Sequence, residues 1–228
     1  LHGIHEHLYN YEYVNVPRDY AQNEKIMYSF CLTDPVERIC YTPSRKANIV
    51  FMFAEFLWYM KGDNSLEFIS YYSKGIKKYS SDGCTLTGTA YGPRLKGTGD
   101  YEVDQIENII KLLQEQPDTK RAVMTIFHPE ELTIVGNIDV ACTLTLQYMI
   151  RDGRLICITN MRANDMFIGG LSDVFSFTMI QEYMARRLGV EVGAYYHLVG
   201  SSHLFHPNLQ KAEQVLKESK PFTEMMSR

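Results

Sequence analysis

Residues 139–173 read D-V-A-C-T-L-T-L-Q-Y-M-I-R-D-G-R-L-I-C-I-T-N-M-R-A-N-D-M-F-I-G-G-L-S-D, and this stretch decides the fold. Two apolar runs, 143–150 and 155–161, flank Arg151-Asp152-Gly153. Alternating runs around Asp-Gly signal a β-hairpin. Cys142 and Arg162 lie about ten residues to either side of that turn, so an antiparallel ladder sets them near each other.

The reading extends outward from the hairpin. Residues 172–188 form a helix, apolar at Val174, Phe175, Phe177, Met179, Ile180, Tyr183 and Met184, and Gly189 stops it. Residues 190–199 form another strand. Upstream, 122–127 is a short strand-like run, and 104–114 is amphipathic with Ile106, Ile109, Ile110, Leu112 and Leu113. Residues 80–100, rich in Gly and Thr, read as a loop around Tyr91-Gly92-Pro93. Residues 65–77 can form a helix capped by Ser65. Residues 46–60 are too apolar for a surface helix and read as a buried one, with Glu55 as its only carboxylate. The pattern is α+β, a mostly antiparallel sheet backed by buried helices, in one domain spanning 1–228.

Composition excludes several classes. A net charge of −4 argues against a general nucleic-acid binder, which would be basic. No apolar run approaches the roughly 18 residues that span a membrane. The opening L-H-G-I-H-E-H-L lacks the basic and apolar regions of a secretory signal. His2, His5 and His7 read as part of a frayed terminus rather than a metal site. The five cysteines form no CxxC pair and have no His at metal-ligand spacing, so no metal is expected. Scattered and odd in number, they point to reduced thiols in a cytoplasm.

Three residues carry candidate chemistry. A lone cysteine at a strand start is usually a small buried hydrophobe. A nucleophilic one needs a cation nearby to favour the thiolate, and Arg162 is placed to supply it. Arg162 sits in Asn160-Met161-Arg162-Ala163-Asn164-Asp165, a polar cluster breaking an apolar strand. An anionic ligand or a structural ion pair would account for it. Glu55, inside an apolar helix, is either hydrogen-bonded to backbone or a proton carrier with a raised pKa.

Six segments now stand in order: E-F-L-W-Y-M-K-G-D (55–63), A-Y-G-P (90–93), D-T-K-R (118–121), A-C-T-L-T-L-Q-Y (141–148), M-R-A-N-D (161–165) and V-G-S-S-H-L-F (199–205). Together they resemble the thymidylate synthase and pyrimidine-nucleotide hydroxymethylase family over about residues 48–205. The resemblance implies a thymidylate synthase-like fold and a homodimer. Its substrates would be a pyrimidine nucleotide and 5,10-methylenetetrahydrofolate.

The resemblance also implies roles. Cys142 would add to C6 of the base, Glu55 would organise water and move protons, and Tyr91 would line the pocket. Arg162 would clamp phosphate beside the thiolate, with Arg18 a further phosphate ligand. Lys120 and Arg121 would cross to the partner subunit's phosphate site. Gln147 would lie near the nucleotide, and His203 would reach the ribose. Tyr79, Asp165 and Gly169 fall on the folate side. Thiolate addition makes C5 nucleophilic toward the one-carbon unit. Water then gives a hydroxymethyl group where hydride would give methyl.

Departures from the synthase pattern sharpen this. Asp173 stands where synthases have an asparagine that reads uracil. A carboxylate accepts from the cytosine N4 amino group. Asn164, before the Asp of M-R-A-N-D, fits the same cytosine-reading branch. Asp173 could otherwise be a helix N-cap. Lys120, Ala163 and Phe205 replace an Arg, a Ser and a Tyr on the sugar-phosphate side, which suggests a ribose in place of a deoxyribose. Tyr79 replaces a folate-flanking Trp and favours water access. The pattern resembles CMP hydroxymethylases of nucleoside-antibiotic pathways such as that of mildiomycin. The same chemistry on dCMP, a thymidylate synthase, or a silent nucleotide-binding protein are the alternatives.

Overall fold

The computed structural model describes residues 1–17 and 20–226. One six-stranded mixed sheet organises it. Its strands are β1 (Tyr13–Asn15), β2 (Gln22–Leu32), β3 (Val123–Thr125), β4 (Thr143–Arg151), β5 (Arg154–Asp165) and β6 (Glu191–Phe205), in the order β1-β2-β6-β5-β4-β3. All neighbours are antiparallel except β5 and β6. A parallel pair needs a crossover, and α6 (Gly169–Leu188) provides it.

The hairpin forms as its sequence dictates. Asp152 and Gly153 both take positive φ, 50° and 70°, the backbone that lets a two-residue turn match the strand twist. A bulge between Thr143 and Thr145 shifts the β4–β5 register just beyond Cys142. Bulges re-aim side chains beside functional sites.

Helices α2 (Ile49–Lys61), α5 (Gln105–Glu115) and α6 cover the sheet. Trp58, Tyr59, Ile106, Ile110, Phe177, Ile180 and Met184 meet Leu146, Tyr148, Leu155 and Cys157 in the main core. Asn48 caps α2 through the Phe51 N–H, and Gly62 ends it at φ 71°. A smaller core joins Ile4 of α1 (His2–Tyr9) to Phe167, Leu204 and the Ala212 and Val215 side chains of α7 (Leu209–Met226).

Several boundaries differ from expectation. The N-terminal histidine cluster is not frayed: residues 2–9 are helical because Ile4 and His7 are buried. Among the described residues no His/Cys/Asp/Glu group could hold a metal. The expected helix 65–77 divides into α3 (Leu66–Tyr72) and a tighter 3-10 turn, Lys74–Tyr79. Ser73 and Gly75, poor helix formers, explain the break. The expected loop 80–100 holds a short helix, α4 (Gly92–Lys96). β2 gave no alternating signal because Met27, at φ 53°, kinks its middle. Helix α6 starts at Gly169 rather than Ser172, so Asp173 lies inside the helix and is not its N-cap. No described helix is long and apolar enough to cross a membrane.

Candidate active site

Cys142 sits half-buried at the mouth of β4. Across the hairpin, the Arg162 guanidinium Nη2 lies 3.6 Å from its Sγ. Arg162 does not hang free over the thiol. Its Nε donates to Ala141 O at 2.8 Å and its Nη2 to Val140 O at 2.9 Å, while its own N–H donates to Cys142 O at 2.8 Å. None of the ion pairs among the described residues involves Arg162. Its charge is thus fixed in direction by carbonyls yet not neutralised by a carboxylate. That suits a thiolate or a phosphate.

Two acids and a phenol are linked to the pair through Tyr91, which feels the charges of both Cys142 and Asp173, while Asp173 in turn acts on Glu55. Tyr91, 4% exposed, receives hydrogen bonds at its hydroxyl from the Thr143 hydroxyl (3.2 Å) and N–H (3.4 Å). It stacks on Tyr59 with ring centroids 5.1 Å apart. Burial, then the neighbouring Asp173 and Cys142 charges, push its phenol well above the usual range. Glu55, 6% exposed, accepts from the Ser176 hydroxyl at 3.4 Å. Burial pushes its carboxyl up to about 8, the Asp173 charge adds to this, and hydrogen bonds from Ser176 and Tyr59 oppose it.

Asp173 is about one turn into α6. The buried Asn164 amide of β5 donates to its Oδ2 at 2.6 Å. Burial pushes this carboxyl up to about 7, against the Asn164 hydrogen bond, and the Asp165 charge adds to the rise. The close approach of β5 to α6 relies on Gly170, where a Cβ would sit 2.8 Å from Asn164 Oδ1. At Gly169 a Cβ would meet Asp173 Oδ2 at 3.5 Å. Asn164 Oδ1 is buried without a partner.

Asp165 shapes the turn into α6. Its Oδ1 accepts from Phe167 N (2.8 Å) and Ile168 N (3.0 Å), and this is why the helix begins early. Its Oδ2 is buried without a hydrogen-bond partner among the described residues, which is unusual for a carboxylate oxygen. His203 lies beside it in the β5–β6 register. The His203 ring packs edge-on against Phe205 at 4.9 Å, and burial holds its pKa below the ordinary value. Ala163 pairs with Ser201.

Other expected residues lie away from this cluster. Gln147 is five residues along β4, where its amide donates to Lys120 O at 2.8 Å. The structure does not bring it to Cys142, because a strand advances about 3.3 Å per residue. Lys120 and Arg121 are exposed between α5 and β3, and Arg121 Nη2 reaches only Gln116 Oε1, at 2.6 Å. Tyr79 ends the 3-10 turn with Lys78 Nζ 4.8 Å from its ring centroid. Arg18 lies outside the described residues.

Sequence reasoning missed a set of buried charges beneath the site. Asp139, 5% exposed, accepts from Thr87 N (2.8 Å), Gly88 N (2.9 Å) and Thr89 N (2.8 Å). Glu131 and Arg94 form an ion pair at 3.0 Å with side chains 8% and 2% exposed. No periodicity marks them, since Asp139 lies in a loop, Glu131 in a four-residue 3-10 turn and Arg94 in a five-residue helix.

With the geometry in place, comparison with known proteins adds lineage. A family model described as thymidylate synthase matches residues 21–227. A protein of Pseudomonas phage M6 named deoxyuridylate hydroxymethyltransferase is 31% identical over 216 residues, 92% of this chain and 60% of the relative. Proteins of the same name from Bacillus phage SP01 and Delftia phage PhiW-14 are each 31% identical, over 75% and 85% of this chain and 47% and 56% of theirs. The chain thus spans about half the length of these relatives.

Proposed function

The chain belongs to the thymidylate synthase family, and from that premise we propose that it is a folate-dependent hydroxymethyltransferase acting on C5 of a cytosine nucleotide, with CMP as its substrate. Methylenetetrahydrofolate supplies the one-carbon unit at C5 when bound. The partnerless Asp165 Oδ2 fits the N–H groups of a pterin, with Tyr79 and Gly169 on the same side.

The chain's own residues divide the remaining work. Cys142 thiolate forms a bond to C6, which places electron density on C5. Arg162 holds the thiolate and takes a phosphate oxygen. Glu55, kept protonated at neutral pH by burial, can donate a proton and take one back as charge moves across the base. Loss of the C5 proton with breakage of the bond from the one-carbon unit to tetrahydrofolate, which departs, leaves an exocyclic methylene on the base. Water adds to that carbon to give the hydroxymethyl group, and the thiolate leaves C6 as the C5=C6 double bond re-forms. His203 meets the sugar. Lys120 and Arg121, exposed on one protomer, serve the partner subunit's phosphate in a homodimer.

The observation that carries the base assignment is the 2.6 Å hydrogen bond from Asn164 to Asp173. It occupies Oδ2 and leaves Oδ1 to accept from the cytosine N4 amino group. Ala163 and Phe205, which lack the hydroxyls of deoxynucleotide enzymes, support a ribonucleotide, as in nucleoside-antibiotic hydroxymethylases. The same chemistry on dCMP is the nearest variant of this reading.

A second reading has its own support: three relatives carry the name deoxyuridylate hydroxymethyltransferase. Tritium release from 5-tritiated CMP, dCMP and dUMP, each with methylenetetrahydrofolate and followed by product mass, separates the cases. Fastest release from CMP with a hydroxymethyl product is expected. Fastest release from dUMP would replace cytosine by uracil, and a methyl product would overturn hydroxymethylation.

A further inference from the structure

The buried charges beneath the site close into a ring. Arg94 Nη2 donates to Thr87 O at 2.7 Å. Thr87 N donates to Asp139 Oδ2 at 2.8 Å. Asp139 leads through Val140 to Ala141, whose N–H donates to Glu131 Oε2 at 2.7 Å. Glu131 Oε1 returns to Arg94 Nη1 at 3.0 Å. Arg94 Nη1 also donates to Ile126 O at 2.7 Å, which ties the ring to the end of the β3 segment.

The ring touches the reaction centre at two points. Tyr91 caps α4, three residues before Arg94. Ala141 immediately precedes Cys142. Both peptide groups that flank the Ala141 Cα are therefore held, the Val140–Ala141 one at its N–H by the Glu131 carboxylate and the Ala141–Cys142 one at its C=O by Arg162 Nε at 2.8 Å. The same guanidinium places Nη2 3.6 Å from Cys142 Sγ. Holding both groups fixes the backbone that leads into Cys142 relative to the guanidinium that faces its thiol.

We infer that Arg94 and Glu131 are positioning residues that set the distance between Cys142 and the Arg162 guanidinium, and with it the readiness of the thiol to ionise. The inference rests on Cys142 being the nucleophile. Neither residue touches substrate in this role. Breaking a buried pair by removing one charge also destabilises the fold, so stability alone cannot test it. A thiol's ionisation can.

The test is the rate of Cys142 alkylation by iodoacetamide against pH, followed by peptide mass, with no nucleotide or folate present. In Glu131→Gln the shape is kept and the carboxylate charge is lost. The expected result is an upward move of the inflection by about one pH unit, of the size a nearby cation produces, with the high-pH plateau unchanged. The rate near neutral pH then falls about tenfold. Arg94→Lys, which keeps a cation but loses the two-armed grip, should move the inflection in the same direction and stands in if Glu131→Gln does not fold.

Arg38→Met is the control. It breaks another largely buried pair, Arg38 with Glu182 at 2.5 Å, and should lower the melting temperature while leaving the Cys142 profile in place. Profiles of Glu131→Gln and Arg94→Lys that superimpose on the native one would overturn the inference. So would an equal shift in Arg38→Met, which would reduce the effect to general destabilisation. Because no substrate enters, failure here is separate from failure of the proposed reaction, which tritium release reports.

Discussion

Asn164 on β5 and Asp173 on α6 are joined by a 2.6 Å hydrogen bond across the turn that Asp165 closes. The bond consumes one oxygen of Asp173 and fixes the direction of the other. Asp173→Asn substitutes an amide that matches the uracil N3–H and O4. It should raise dUMP turnover relative to CMP by about 1–3 kcal/mol of discrimination, or about 5- to 150-fold. Competition between the two nucleotides measures it. An unchanged ratio would remove Asp173 from base reading.

The same carboxyl makes base choice depend on pH. Protonated, Asp173 offers one donor and one acceptor, which either base can meet. Ionised, it only accepts, and it then faces the uracil O4 with like polarity. Since burial pushes this group up to about 7, the ratio of cytosine to uracil turnover should rise as pH passes from 6 to 8. A flat ratio over that range would refute the titration.

Stability carries the opposite dependence. Glu55 and Asp173 are raised to about 8 and about 7 in the folded chain, above their unfolded values. Through these two carboxyls the folded state holds more protons than the unfolded one between about pH 4 and 8, while His7, His197 and His203, lowered by burial, act in the opposite sense below about pH 6.5. The stabilisation is complete at the acid end of that window and is lost as pH rises through the folded values. Each group contributes up to about 1.4 kcal/mol per pH unit. Melting temperature should fall from pH 6.5 to 8, above the range in which the histidines act, and Glu55→Gln should flatten the slope while abolishing turnover.

Cys142→Ser should remove turnover by several orders of magnitude yet leave CMP affinity near native, since phosphate and base contacts survive. Calorimetric titration beside the tritium assay reads both. Persisting tritium release would exclude covalent addition by this residue.

The sugar side is testable by restoration. Ala163→Ser together with Lys120→Arg supplies a hydroxyl donor and a bidentate fork. The kcat/KM ratio of dCMP to CMP should rise about tenfold. No change would undercut the ribose assignment.

Much of this site was legible in the residues themselves. The Asp152-Gly153 turn fixed which positions could face each other, and so Cys142 met Arg162. Glu55 stood out because a carboxylate in an apolar helix needs a reason. Asp173 was legible as a departure, but its seat inside α6 was not. The helix starts early because Asp165 captures two backbone N–H groups, an event with no hydrophobic period. Strand β2 was hidden by the Met27 kink. The ring of Arg94, Glu131 and Asp139 was hidden because irregular backbone, rather than periodic structure, supplies its partners.

The strand order has a consequence for how the chain is made. Cys142 and Arg162 lie on one hairpin and can meet soon after both are synthesised. Strand β2 must wait for β6, with Gln22 pairing to Phe205. Nearly the whole chain separates those two residues, and long-range pairing of this kind is slow. During synthesis the thiol and its cation therefore come together while one long strand still lacks its partner. In that interval an unpaired strand edge is open to pairing with other chains.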